Sequence, residues 1–270
     1  MDVKPIGIFD SGVGGLTVAR EMTRQGPDEP FIYLADSGRF PYGPRPLDQV
    51  KEFTTQAVHF FLRHHVKLIV LACNTATAAG LGEARRISPV PVVGVIGPGA
   101  RAAVAAHDHR GKLAILGTKA TIESGAYVKA LRGLGYDGEP AGLACPDFVM
   151  AAENGDVEGP DVETMAATVL APLVWQRPST VVLGCTHFAP LSRSISKAFG
   201  PDVMIIDPAE ETAREVLGTL RQKGLEAPPS ARGPRHLYFT SGDPERFRTI
   251  GGRLVGRPIS EAQLVDLNEF

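Results

Sequence analysis

The sequence predicts an α/β fold of open parallel sheets flanked by helices, made in two related halves. Three observations carry this. Short Val/Ile/Leu runs alternate with longer stretches of helical pattern. The runs are almost continuously apolar, as parallel strands buried on both faces require. Two pieces of chain also recur: IGIFDSGVGG is echoed by LAILGTKAT, and LIVLACNTAT by VVLGCTHFAPL. The echoes lie 107 residues apart (Asp10 to Gly117) and 112 apart (Cys73 to Cys185). Any parallel α/β chain repeats a strand followed by a small polar loop, so spacing alone leaves that explanation open.

Taken in order, the predicted strands are Ile6 to Phe9, Phe31 to Ala35, Leu68 to Ala72, Val92 to Val95, Leu113 to Leu116, Thr180 to Leu183 and Met204 to Ile206. Helical patterns fill Leu47 to His64, Ile122 to Leu134 and Val162 to Ala171. GVIGPGAR (Gly94 to Arg101) reads as a Gly/Pro-rich break between halves. IIDPAEETA ends a strand and opens a helix, with Pro early and acids in the first turn, and reads as the return crossing. Gly224 to Pro234 reads as a surface loop. HLYFTSG is strand-like, and DPERFRTIGGRLVG is a terminal helix with a proline start.

Composition narrows the function classes. With 270 residues, 43% of them hydrophobic, the chain can fill one large core or two medium ones. A formal charge of −2 and no long Lys/Arg run argue against nucleic acid or an anionic membrane as partner. No stretch approaches the roughly 20 apolar residues of a membrane helix. The first residues, MDVKPIGIFDSGVGG, lack a leader's apolar run, so the cytoplasm is expected. Cys73, Cys185 and Cys145 form no CxxC pair or zinc spacing and read as free thiols.

Three loops carry polar chemistry. DSGVGG (Asp10 to Gly15) allows close backbone approach and presents helix N–H groups to an anion. It lacks GK[ST] and GxGxxG, which disfavours a nucleotide and leaves a carboxylate as guest. An ordinary capped strand–helix turn accounts for the same letters. ADSGRFPYGPRP is a stiff loop in which Tyr42 and Gly43 offer a hydroxyl and a backbone N–H. ACNT and GCTH each place a cysteine at a strand end, where a helix N-terminus would lower the thiol pKa. One such cysteine is most simply a small buried hydrophobe; two in matching contexts weaken that reading. Cys145 has no strong strand before it and reads as structural. His64 and His65, and His107 to Arg110, read as solvated helix ends. A metal held by Cys73, Cys185 and His187 lacks a fourth ligand.

DSGVGGL, DSGRFPYG, ACNTATA, GTKAT, GCTH, DPAEETA and TSGDPERF, in this order and nearly end to end, resemble the glutamate racemases of the aspartate/glutamate racemase superfamily. The resemblance implies two pseudo-symmetric α/β domains with the active site in the cleft between them. On this chain they are residues 1–96 plus 209–270, and 97–208. It implies no cofactor and no metal, glutamate as substrate, a role in peptidoglycan synthesis, and a homodimer. Cys73 and Cys185 become the two bases, assisted by Asp10 and His187 respectively. Glu153 joins His187 as a proton-handling neighbour. Asp10, Ser11, Pro41, Tyr42, Gly43, Asn74, Thr75, Thr186 and His187 would hold the substrate, with Thr118 and Thr121 lining the site. The chain departs from the family pattern at Gly97, Ala151, Ala152, Ala189 and Pro208, none of which touches the thiols. Alternatives are a racemase of aspartate or another small dicarboxylate, a hydrolase with Cys185 activated by His187, and a two-lobed binding protein without catalysis.

Overall fold

The computed structural model describes residues 3–108, 110–229 and 233–270. The strands are β1 (Ile6–Asp10), β2 (Phe31–Ala35), β3 (Leu68–Leu71), β4 (Val92–Gly94), β5 (Lys112–Gly117), β6 (Ala141–Ala144), β7 (Pro178–Gly184), β8 (Met204–Ile206), β9 (Leu237–Thr240) and β10 (Gln263–Leu264). The α-helices are α1 (Leu16–Gln25), α2 (Leu47–Arg63), α3 (Asn74–Ile87), α4 (Ile96–Ala106), α5 (Lys119–Glu123), α6 (Ala126–Gly133), α7 (Pro146–Asn154), α8 (Pro160–Val174), α9 (Ser192–Phe199), α10 (Pro208–Lys223) and α11 (Pro244–Val255). None of the described helices is long and apolar enough to cross a membrane.

The strands form two sheets, ordered β10-β9-β2-β1-β3-β4 and β6-β5-β7-β8. Every pairing is parallel. The all-apolar strand runs follow from this, because helices cover both faces of each sheet. Alternate residues of β1 and β2 serve opposite cores. Ile6, Ile8 and Tyr33 pack with Leu16, Val216 and Phe247, while Phe9, Ile32 and Leu34 pack with Val58, Phe61 and Ile69.

The topology creates two equivalent crevices. In the first sheet β1 lies between β2 and β3, so the connections leaving β1 and β3 diverge to opposite sides. In the second sheet β5 lies between β6 and β7 in the same way. Such switch points at the carboxyl ends of parallel strands are where α/β sheets bind ligands. The sequence echoes therefore correspond to position: β1 and β5 are one equivalent pair, β3 and β7 the other.

Several expectations needed correction. GVIGPGAR holds the passage from β4 of the first sheet to the second half, but it is not a loop. From Ile96 it runs as α4, whose Ile96 and Ala100 join the core of the second sheet. Gly99 is required there by packing, since a Cβ would meet Pro208 Cγ at 2.9 Å. The single helix expected over Ile122 to Leu134 is two, because Gly125 takes φ +64 between α5 and α6. Cys145 does follow a strand: β6, too short and Ala/Gly-rich to stand out, precedes it, and Cys145 begins α7 fully buried. His107 is not solvated. It is buried, with Nδ1 3.1 Å from Thr180 Oγ1 and its ring edge-on to Tyr136. Its neighbour His109 and part of the Gly224 to Pro234 loop (230–232) lie outside the described residues.

Gly7 in β1 sits under the ring of Phe61, where a Cβ would meet Cδ1 at 2.6 Å. Overpacking at a central strand typically costs about 1–3 kcal/mol. Gly7→Ala is expected to lower the unfolding free energy by that amount, read as a lower urea midpoint at unchanged m-value; an unshifted midpoint would show that Phe61 yields freely.

Candidate active site

Cys73 ends the β3 segment and caps α3, its Sγ accepting from the Ala76 N–H at 3.4 Å. Ser11, just past β1, places its Oγ 3.6 Å from that Sγ. Across the crevice, β7 delivers Cys185, Thr186 and His187, and β5 delivers Thr118. Both thiols, Ser11, Asn74, Thr75, Thr118, Thr186 and His187 line one cavity of about 250 Å³, closed on one side by the loop Phe40 to Pro44. Lys119, Pro146, Val149 and Met150 complete its wall. Sequence reasoning assigned no role to Phe40, Pro44, Lys119, Pro146, Val149 and Met150. Lys119 lay inside GTKAT, and Phe40 and Pro44 inside ADSGRFPYGPRP, motifs already singled out; Pro146, Val149 and Met150 carry no chemical signature and become visible only when α7 is folded over the crevice.

The glycines of DSGVGG serve the contact between the halves. A Cβ on Gly14 would meet Thr186 Oγ1 at 2.4 Å and His187 Nδ1 at 2.9 Å, and one on Gly12 would meet Glu153 Oε1 at 3.2 Å. Tyr33 donates its hydroxyl to the Gly12 carbonyl at 2.8 Å and fixes the turn. Asp10, fully buried, accepts from the Gly12 N–H (3.0 Å) and from the Thr186 hydroxyl (3.3 Å).

His187 joins two predicted neighbours. Its Nε2 lies 2.7 Å from Glu153 Oε1 and its Nδ1 3.8 Å from Cys185 Sγ. Two assignments change. The Tyr42 hydroxyl is not offered to a ligand, because it is donated to Asp36, which also binds Arg39 and Ser241. Tyr42 and Gly43 still line the cavity, and Gly43 is compelled by Thr118, whose Cβ lies 2.9 Å from where its own Cβ would stand. Thr121 does not line the cavity. It stands behind the wall, bonded to Thr118 Oγ1 (2.9 Å) and Thr75 Oγ1 (3.2 Å). The described residues contain no group of three or more His, Cys, Asp or Glu arranged to hold a metal ion.

The profile of the Asp/Glu/Hydantoin racemase family matches residues 16–216. A glutamate racemase of Exiguobacterium sibiricum is 44% identical over 262 residues, covering 97% of this chain and 96% of that one. This chain belongs to the Asp/Glu racemase family. Its fold superposes on a glutamate racemase isoform from Bacillus anthracis with a TM-score of 0.92, at 41% identity and 98% coverage of both chains. The glutamate racemase of Francisella tularensis, solved in complex with D-glutamate, superposes equally well (0.92) at 30% identity, with both chains fully covered.

Cys73 and Cys185 are matched in position but not in surroundings. A helix N-terminus was expected to lower the Cys73 pKa. Burial dominates instead and, with Asp10 adding to it, pushes the thiol up to about 12 against the Ala76 and Ser11 hydrogen bonds. Cys185 heads a 3₁₀ turn, accepts no capping hydrogen bond, and has His187 beside it. Burial works to lower the His187 pKa, yet Cys185 and Glu153 outweigh it and hold the imidazole up at about 10. A cationic His187 is therefore sandwiched between Cys185 and Glu153 at neutral pH.

Burial raises the Asp10 pKa from 3.8 to about 6, against the charge of His187 and the backbone donors Gly12 and Gly15. A raised carboxyl pKa means the folded state holds its proton more tightly. Below 3.8 Asp10 is neutral in both states; between 3.8 and 6 rising pH removes stability, in total ~3 kcal/mol. Asp10→Asn is expected to gain stability relative to wild type across that window, read from urea midpoints at pH 4 and pH 7. A constant difference would place the Asp10 pKa at its ordinary value. For His187, Glu153→Gln removes one of the groups that raise its pKa. An NMR titration of the imidazole is expected to show a lower pKa in the variant, and an unchanged one would exclude the ion pair.

Proposed function

We propose that this protein interconverts L- and D-glutamate with Cys73 and Cys185 as the two bases, without a cofactor, and so supplies D-glutamate for peptidoglycan synthesis. The observation that carries the mechanism is two thiols from equivalent strand ends lining one small cavity. Racemisation removes the α-proton from one face of a carbon and returns a proton on the other. One base cannot easily reach both faces; two strand ends facing across a crevice can. One thiolate takes the α-proton while the opposite thiol delivers its own, and the roles exchange in the reverse direction. An ordinary thiol suits both tasks because its pKa lies near the working pH; burial lifts Cys73 above that range in the unliganded protein, so it acts as a base only once the bound substrate has lowered its pKa.

The chain's own polar groups supply the rest. With no electron sink, the negative charge that grows on the α-carbon spreads into the substrate carboxylate and needs preorganised donors. Ser11, Asn74, Thr75 and Thr186, with the N–H groups of the surrounding turns, serve there. Asp10 does not itself line the cavity but lies buried directly behind Ser11; ionised above about pH 6, it acts through its charge on the α-ammonium, whose positive charge eases loss of the α-proton. At neutral pH the Cys73 thiol is protonated in the unliganded protein and is the proton donor at rest. Burial chiefly keeps it so, with the charge of Asp10 adding to it, and an ammonium beside Asp10 offsets that charge. Glu153 and His187 handle protons around Cys185.

The fuller reading places residues 1–96 plus 209–270 in one domain and 97–208 in the other, and has the chain act as a homodimer in the cytoplasm. Two observations support the division: Ala100 and Ala103 pack into the core of the second sheet, and Ala209 and Ala213 into that of the first. The Cys185–His187–Glu153 series also has the order of a nucleophile, base and orienting acid, which favours hydrolysis as the second reading. Hydrolysis would leave Cys73 without a task.

The deciding measurement is loss of optical activity and α-proton exchange of glutamate in D2O, with aspartate as a second substrate. Cys73→Ser and Cys185→Ser are each expected to slow racemisation by about 10²–10⁴-fold. Racemisation at the wild-type rate by either variant would sink the two-base mechanism. Amide or ester hydrolysis that survives Cys73→Ser and disappears with Cys185→Ser would favour the hydrolase.

A further inference from the structure

Asn74 follows Cys73 directly, opens α3 and lines the cavity. Its Oδ1 accepts a hydrogen bond of 2.8 Å from the phenol of Tyr127, which stands on α6 beside the second sheet. An asparagine amide has one acceptor end and one donor end. With Oδ1 engaged, Nδ2 faces away from the phenol. Nδ2 makes no hydrogen bond among the described residues. It is also absent from the buried side-chain atoms sealed away without a partner, which are Glu29 Oε2, Arg39 Nη2 and His236 Nδ1. An unpartnered donor that is not sealed, on a residue lining a cavity, opens into that cavity.

Tyr127 is held where it can do this. Its side chain is only 2% exposed. A Cβ on Gly184, one residue before Cys185, would meet its Cε2 at 3.1 Å, and one on Gly99 would meet its Oη at 3.2 Å. The ring is thus seated against bare backbone of β7 and α4, and its phenol emerges next to Asn74. Burial pushes the phenol pKa up, so it remains a donor throughout the neutral range.

We propose that Tyr127 is a positioning residue for racemisation: it holds the Asn74 carbonyl from across the crevice and thereby turns the Asn74 amide NH2 toward a substrate carboxylate. The inference rests on the glutamate reading above. An ionised carboxylate only accepts hydrogen bonds. An Asn74 amide turned over would set oxygen against oxygen and lose the contact. Because the bond joins α6 to α3, correct docking of the two halves is what makes Asn74 a donor.

Steady-state racemisation by Tyr127→Phe tests this, since the substitution removes only the hydroxyl. The expected result is a KM for glutamate raised about 5- to 30-fold with kcat changed much less. In an Asn74→Ala background, Tyr127→Phe is expected to raise KM no further. A wild-type KM in the single variant, or fully additive effects in the double, would overturn the assignment. Cys73→Ser belongs in the same series. If it racemises normally the glutamate mechanism fails; if it is inactive while Tyr127→Phe keeps a wild-type KM, only the role of Tyr127 fails. A measurement on wild type covers misfolding of the variant. With asparagine only at 74, 154 and 268, 15N-asparagine labelling isolates the Asn74 side-chain NH2. Its signals are expected to move on saturation with D-glutamate, and unmoved signals would contradict the proposal.

Discussion

Close backbone contact at the glycine turn after β1 is the constraint on which the site depends. Asp10 to Gly15 passes directly beneath Thr186, His187 and Glu153, with no room for a Cβ on Gly14. That approach lets Thr186 reach Asp10 at 3.3 Å and brings the β7 end over the β1 and β3 ends. A side chain at Gly14 would force the halves apart and separate the two thiols. Glycines after a first strand often make room for a ligand phosphate; here they make room for the other half of the protein.

Once the halves are docked, the two strand ends become chemically unequal. Cys73 lies against α3 with Asp10 nearby, in surroundings that keep it a thiol. Cys185 lies beside an imidazole that Cys185 itself and the half-buried Glu153 keep cationic against burial. The repeat in the sequence thus specifies matched positions, and the tertiary environment assigns unmatched charge. A racemase whose bases exchange roles with direction does not need them to be identical, only to face opposite sides of one carbon.

Hydrogen bonds between the halves are concentrated at the cavity. Thr75 meets Thr118 at 2.9 Å and Thr121 at 3.2 Å, Asn74 meets Tyr127, and Asp10 meets Thr186. Each joins a residue of the wall, or one directly behind it, to the opposite half. Docking of the halves and assembly of the site are therefore one event.

Much of this was legible in the letters, for physical reasons. Parallel strands buried on both faces must read as apolar runs, so β1, β2, β3, β5 and β7 announced themselves, and the residues just beyond them had to be the site. β6 did not, because AGLA is too short and small to show a pattern. The break at Gly125 and the helix through Gly99 were hidden because glycine marks a turn and a tight packing site equally well. Residue type and order alone determined that two cysteines end equivalent strands, with Asn74 and Thr75 behind one and Thr186 and His187 behind the other. Only the tertiary structure decided that Tyr42 spends its hydroxyl on Asp36, that Thr121 stands behind Thr118, and that burial overrides the helix N-terminus at Cys73. Those outcomes turn on desolvation and on partners distant in sequence, which no local pattern encodes.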